Sequence, residues 1–158
     1  MPDNDPVTAV PHANVADPCM TVAELNDFFA AAFPDGRPYV VEAVGPHTTT
    51  MHLPADHVMI RPGGTVSGPT LMGLADAAAY AVILAHLGPV ALAVTSNLNI
   101  TFLHKPAPTG VRAETEILKL GRKLAVVDVR LFGDDRPDLV AQATVTYAIP
   151  SSEWNRTP

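Results

Sequence analysis

The sequence has a single cysteine, Cys19, which excludes an internal disulfide framework and fits a reducing compartment. Charge is sparse: 16% of the 158 residues, ten basic against sixteen acidic, for a formal net charge of −6 at pH 7. A nucleic-acid surface needs a basic patch, so this balance argues against that class of partner. The opening residues, Met1-Pro2-Asp3-Asn4-Asp5-Pro6, lack the basic and apolar segments of a secretory signal. Long apolar runs are almost missing as well. The only one, around residues 71–87, contains Asp76 and is expected to be too short and too alanine-rich to span a membrane. These absences together point to a soluble, cytoplasmic protein with no membrane and no nucleic-acid partner. So few charges beside 47% hydrophobic residues also leave little to cover an independent surface, which implies an interface between copies.

What is present is organised around one helix. Ser67 or Gly68 suits its cap, Pro69 its first turn, and Gly88-Pro89 its end, so a helix is expected from about residue 69 to 87. Its residues are Ala, Leu, Met, Val, Ile and Tyr on every side, which makes it a core helix rather than a surface one. Asp76 is the exception. No Lys or Arg lies one turn away to pair with it, and a buried unpaired carboxylate costs several kcal/mol of desolvation.

Residues 1–18 carry four prolines and no hydrophobic period, and are expected to form a mobile extension. The main domain is then 19–150, and 151–158 form a polar tail. Thr21-Val22-Ala23-Glu24 matches a capping box, with Leu25, Phe28, Phe29 and Ala32 at helical spacing behind it and Pro34-Asp35-Gly36 to close it. Residues 39–44, 48–53 and 57–60 read as short strands, the last ending at Arg61-Pro62-Gly63-Gly64. After the helix the period becomes two. In 91–103, Val94, Ser96, Leu98, Ile100 and Phe102 alternate with Thr95, Asn97, Asn99 and Thr101. Residues 111–120, 123–132 and 139–149 continue as strands joined by short turns, with Leu139, Ala141, Ala143, Val145 and Tyr147 facing inward on the last. One apolar helix beside an antiparallel meander implies an α+β domain whose sheet curls around the helix.

Arg61-Pro62-Gly63-Gly64-Thr65-Val66-Ser67-Gly68-Pro69, then Leu74-Ala75-Asp76, then Thr95 to Leu103, resemble the hotdog fold, specifically the PaaI-like acyl-CoA thioesterases. The likeness covers roughly residues 40–149. It implies a thioester hydrolase acting on an acyl-CoA, with coenzyme A as part of the substrate and no separate cofactor. In that family a His-Gly-Gly turn opens the helix, a backbone N–H there polarises the carbonyl, and a helical Asp or Glu is base or nucleophile. By position, the resemblance gives Gly68 the N–H, Asp76 the carboxylate and Thr95 the orientation of water. It also gives Arg61 a place near the carbonyl. Ser67 stands at the family's His and Pro69 at its second Gly, so one oxyanion donor is removed while Gly68 remains.

Gly68 and Asp76 are eight residues apart, about 12 Å along one helix, so a single acyl carbon cannot touch both. If both act, two subunits share each site, in a homodimer or homotetramer. Arg61, Ser67, Asn97, Arg122 and Lys123 are the candidates for binding the substrate, and His104-Lys105 could also hold phosphates. Each has a plainer reading: Ser67 as a helix cap, Thr95 as sheet filling, the cations as solvated strand ends. His47, His52 and His57 recur every five residues, which shares no face in a helix or a strand, and no metal site is expected. Two other functions fit the same fold. One is a non-hydrolytic acyl-CoA or aromatic-ligand binding protein, suggested by Ser67 and Pro69. The other is a hydratase or dehydratase, disfavoured because no His beside the helix offers a second proton donor.

Overall fold

Both segments with helix-start chemistry are helices in the computed structural model, which describes residues 17–34, 36 and 38–151. Helix α1 spans Val22–Ala32. Thr21 Oγ1 accepts from the Glu24 N–H while the Glu24 carboxylate accepts from the Thr21 N–H, which completes the capping box. Helix α2 spans Gly68–Leu87, with Ser67 as its cap. At its end Gly88 takes φ 85°, a conformation that costs glycine nothing, and its N–H donates to the Leu84 carbonyl. By length and hydropathy α2 would pass for a membrane span, contrary to the expectation that it is too short; its burial inside the fold, 78%, makes it the core helix instead. The polar residues at either end of the chain, including the expected N-terminal extension and most of the C-terminal tail, lie outside the described residues.

Strands β1 (Val40–Gly45), β2 (Thr48–Leu53), β5 (Val94–Phe102), β6 (Val111–Leu120), β7 (Leu124–Gly133) and β8 (Leu139–Ala148) form one antiparallel sheet in the order β1-β2-β6-β7-β8-β5. A separate hairpin pairs β3 (Ile60–Arg61) with β4 (Thr65–Val66) ahead of α2. The alternating residues Val111, Ala113, Val127, Val129, Leu131, Ala143 and Val145 are fully buried and form the face that wraps α2. This is the hotdog arrangement expected from the sequence.

Three local readings are corrected. Residues 57–60 are not a strand: Ala55–His57 form a 3₁₀ turn after Pro54, and only Ile60–Arg61 pair. On β8 a register shift opposite Leu131/Phe132 puts Val140 in the core, leaving Leu139 half-buried. On β5 the strict alternation fails. Thr95 lies opposite Tyr147 and Asn97 opposite Thr146, so Ser96 is an extra residue in a bulge. Beyond the bulge Leu98 and Ile100 face Val145 and Ala143 of the core face, and Thr95 shares that face because its partner is Tyr147.

The two edges of the sheet differ. Along β1, Asn26 of α1 accepts from the Val41 N–H and donates to the Val41 carbonyl, at 2.9 and 3.0 Å, which occupies that residue's free main-chain groups. Along β5, Val94 and Phe102 are exposed, as is Leu103 just beyond, and the outer edge pairs with no strand among the described residues.

Candidate active site

Asp76 sits midway along α2, half-buried, where the helix passes under β5 and β8. Two hydroxyls converge on one of its oxygens. Thr95 Oγ1 donates to Oδ1 at 2.5 Å and the Tyr147 hydroxyl donates to the same atom at 2.9 Å. Because the bulge sets Thr95 directly opposite Tyr147, the two donors form a cross-strand pair over the helix. Oδ2 has no hydrogen-bond partner among the described residues, so the carboxylate has one anchored oxygen and one available.

Tyr147 was read from the sequence as an inward core residue, and its part in the site went unseen. Its ring stacks on Tyr80, centroids 5.7 Å apart and planes 7° from parallel, and the Tyr80 hydroxyl donates to the Ala91 carbonyl. Burial, with the Asp76 carboxylate beside it, pushes the Tyr147 phenol far above its ordinary range, so it stays protonated and remains a donor. Burial also raises Tyr80. The two tyrosines, Asp76 and Thr95 line a cavity of about 240 Å³ together with Phe29 of α1 and Phe33 just past its end. Val94 lines both this cavity and an apolar groove formed with Leu92 and Ala148–Ser151.

A second set of features lies at the start of α2. Ser67 caps the helix: its Oγ accepts weakly from the Thr70 N–H, at 3.4 Å, and meets Thr70 Oγ1 at 2.8 Å. The Leu71 N–H donates to the Ser67 carbonyl, and Pro69 has no N–H to offer. That leaves Gly68 as the only main-chain donor of this first turn without a partner among the described residues. A side chain added at Gly68 would stand 3.4 Å from the Phe102 ring, so the end of β5 covers this turn. Arg61 is exposed on β3, seven positions before Gly68.

The expected residues therefore fall into two groups within one chain. Asp76 and Thr95 meet, joined by Tyr147; Gly68, Ser67 and Arg61 belong to the other end of the helix. Asn97 lies beyond the bulge on the face opposite Thr95 and is not brought to Asp76. Arg122 and Lys123 are exposed at the β6–β7 turn, where the Lys123 carbonyl accepts from the N–H of Ile149, a residue of the apolar groove.

The thioesterase superfamily matches residues 63–147, more than half the chain and nearly all of the α2 to β8 unit. The chain belongs to that superfamily, and its general chemistry is thioester hydrolysis on a small-molecule substrate. Among solved structures it is similar to a protein described as a candidate thioesterase from Silicibacter sp. TM1040, 38% identical with a TM-score of 0.80, over 87% of this chain and 97% of that one. It is also similar to a phenylacetic acid degradation-related protein, likewise described as a candidate thioesterase, from Ralstonia eutropha JMP134: 25% identity, TM-score 0.65, 77% of this chain and 98% of that one. Zebrafish thioesterase superfamily member 2 shares the fold at 20% identity and a TM-score of 0.70, over 83% and 99% of the two chains. No curated protein shows significant similarity to the chain.

Proposed function

We propose that the protein hydrolyses an acyl-CoA thioester at a site shared by two copies of the chain. The observation that carries this reading is the pairing of an anchored carboxylate beside an aromatic cavity with an N–H at the start of the same helix that has no partner among the described residues. About 12 Å of helix separates them, so each must act with its counterpart on a second subunit. The open edge of β5, with its exposed apolar residues, offers the surface through which a second copy would pair.

In this reading water attacks the thioester carbonyl carbon while Asp76 Oδ2 accepts one of its protons. The carbonyl oxygen becomes an oxyanion held by the N–H of the partner subunit's Gly68, aided by the partial positive charge of the helix end. Collapse breaks the C–S bond and expels coenzyme A as thiolate, which takes up the proton. Thr95 anchors the carboxylate. Arg61 supports the carbonyl end from the Gly68 side, while Arg122 and Lys123 bind phosphates at the mouth of the apolar groove.

The test is thiol release from a panel of short, medium, long and aromatic acyl-CoAs. Turnover by wild type and a loss of at least ~10²-fold in kcat for Asp76→Asn is the expected result. Binding without turnover on any acyl-CoA would instead establish a ligand-binding protein.

A further inference from the structure

We propose that Tyr147 is the positioning residue for Asp76: its hydroxyl, paired across the strands with Thr95, selects which carboxylate oxygen faces the reacting water. This rests on the Asp76 reading above. The phenol has one proton and two acceptors in reach, Asp76 Oδ1 at 2.9 Å and the Asp76 carbonyl at 3.1 Å. That carbonyl already belongs to the helix ladder, while the carboxylate is the charged and stronger acceptor. Donation therefore goes to Oδ1. With Thr95 donating to the same atom, rotation of the carboxylate would break two bonds from two strands, and Oδ2 is held as the available oxygen.

The ring of Tyr147 is itself fixed. It is 4% exposed and stacked on Tyr80, which packs edge-on against Phe28 and Phe29 of α1. Among the residues lining the cavity, Tyr80 and Tyr147 are the only titratable groups besides Asp76; α1 and its cap contribute Phe29 and Phe33, and β5 contributes Val94 and Thr95. No cation there competes to orient the carboxylate.

Tyr147→Phe removes the hydroxyl and keeps the stacked ring. A positioning role predicts a fall in kcat of about tenfold to a hundredfold with KM changed less than about twofold. Introduced into Asp76→Asn, the same change leaves the residual rate within about twofold, because its effect runs through the carboxylate. Wild-type kcat in a folded Tyr147→Phe protein, or losses that multiply in the double variant, overturn the proposal. If Asp76→Asn itself retains full activity, the reading of Asp76 fails, which is a separate result. Should Tyr147→Phe not fold, proton NMR with selectively labelled tyrosine gives the answer. The Tyr147 hydroxyl proton is expected downfield in wild type and shifted upfield in Asp76→Asn; no shift overturns the proposal.

Discussion

Gly68→Pro isolates one atom. Proline has no N–H, and residue 68 is the first residue of α2, where proline is favoured and where no ladder bond is lost. Ser67 already has φ −72° and ψ 151°, the extended geometry required before proline. Residue 68 is itself helical and precedes Pro69, which disfavours that conformation for any residue with a Cβ, so Gly68→Pro and Gly68→Ala are both expected to cost about 1 kcal/mol or more in folding, with part offset by a stiffer unfolded chain. Removing one oxyanion donor costs about 10²–10³ in kcat, roughly 2.7–4 kcal/mol of transition-state stabilisation. Here the expected loss lies in that range, since Pro69 leaves no second N–H beside it. Gly68→Ala is the control: it keeps the N–H, and its Cβ would lie at ordinary contact distance, 3.4 Å, from Phe102. Initial rates of thiol release, with melting curves for each variant, read both effects. Mixing unfolded Gly68→Pro and Asp76→Asn chains and refolding them adds a second reading. Random pairing makes half the dimers mixed, each with one intact shared site, so about a quarter of wild-type activity returns. A folded Gly68→Pro protein within about threefold of wild-type kcat refutes the oxyanion role. Absence of recovery on mixing, with mixed dimers shown to form, refutes the shared site.

Asn26→Ala leaves the N–H and carbonyl of Val41 unmatched at the sheet edge and is expected to cost about 2 kcal/mol in urea unfolding. Ser67→Ala removes the cap of α2 and should lower stability by about 1 kcal/mol while KM stays within about twofold, as expected of a cap rather than a substrate contact. The Tyr147 pKa is raised in the folded state, so its contribution to stability is fully present below the unfolded value of about 10 and is lost as pH rises beyond it. Urea midpoints between pH 8 and 11 should therefore fall for wild type and fall less for Tyr147→Phe.

The helices were legible because their signals are local. Ser67, Pro69 and Gly88 bound α2, and Thr21 with Glu24 opens α1, each within a few residues of the bond it makes. Strand faces were legible wherever alternation runs unbroken, as on β7. They were not legible on β5, since a period of two carries no sign of where an extra residue will be absorbed, and Ser96 looks like any other strand serine. By strict alternation Thr95 belongs with Asn97, Asn99 and Thr101; the bulge turns it to the other face and onto Asp76. Tyr147 escaped notice for a different reason. An inward tyrosine on a core strand has the same pattern whether its hydroxyl meets a passive carbonyl or a carboxylate across the sheet, and only the fold brings residues 76 and 147 together. The stretch 57–60 was misread as a strand because the 3₁₀ turn that runs into it after Pro54 is too short to show any period.

The amide of Asn26 also bears on how large an assembly can become. A sheet with two live edges can recruit a third chain after the second, and then a fourth, growing into a ribbon without end. Here one edge is stapled by the chain's own first helix. A second copy joined along β5 would use up the remaining edge of both molecules, and strand-by-strand growth would stop at two. If copies do pair along β5, loss of the amide that occupies Val41 on the other edge is expected to show as light scattering before it shows as lost turnover.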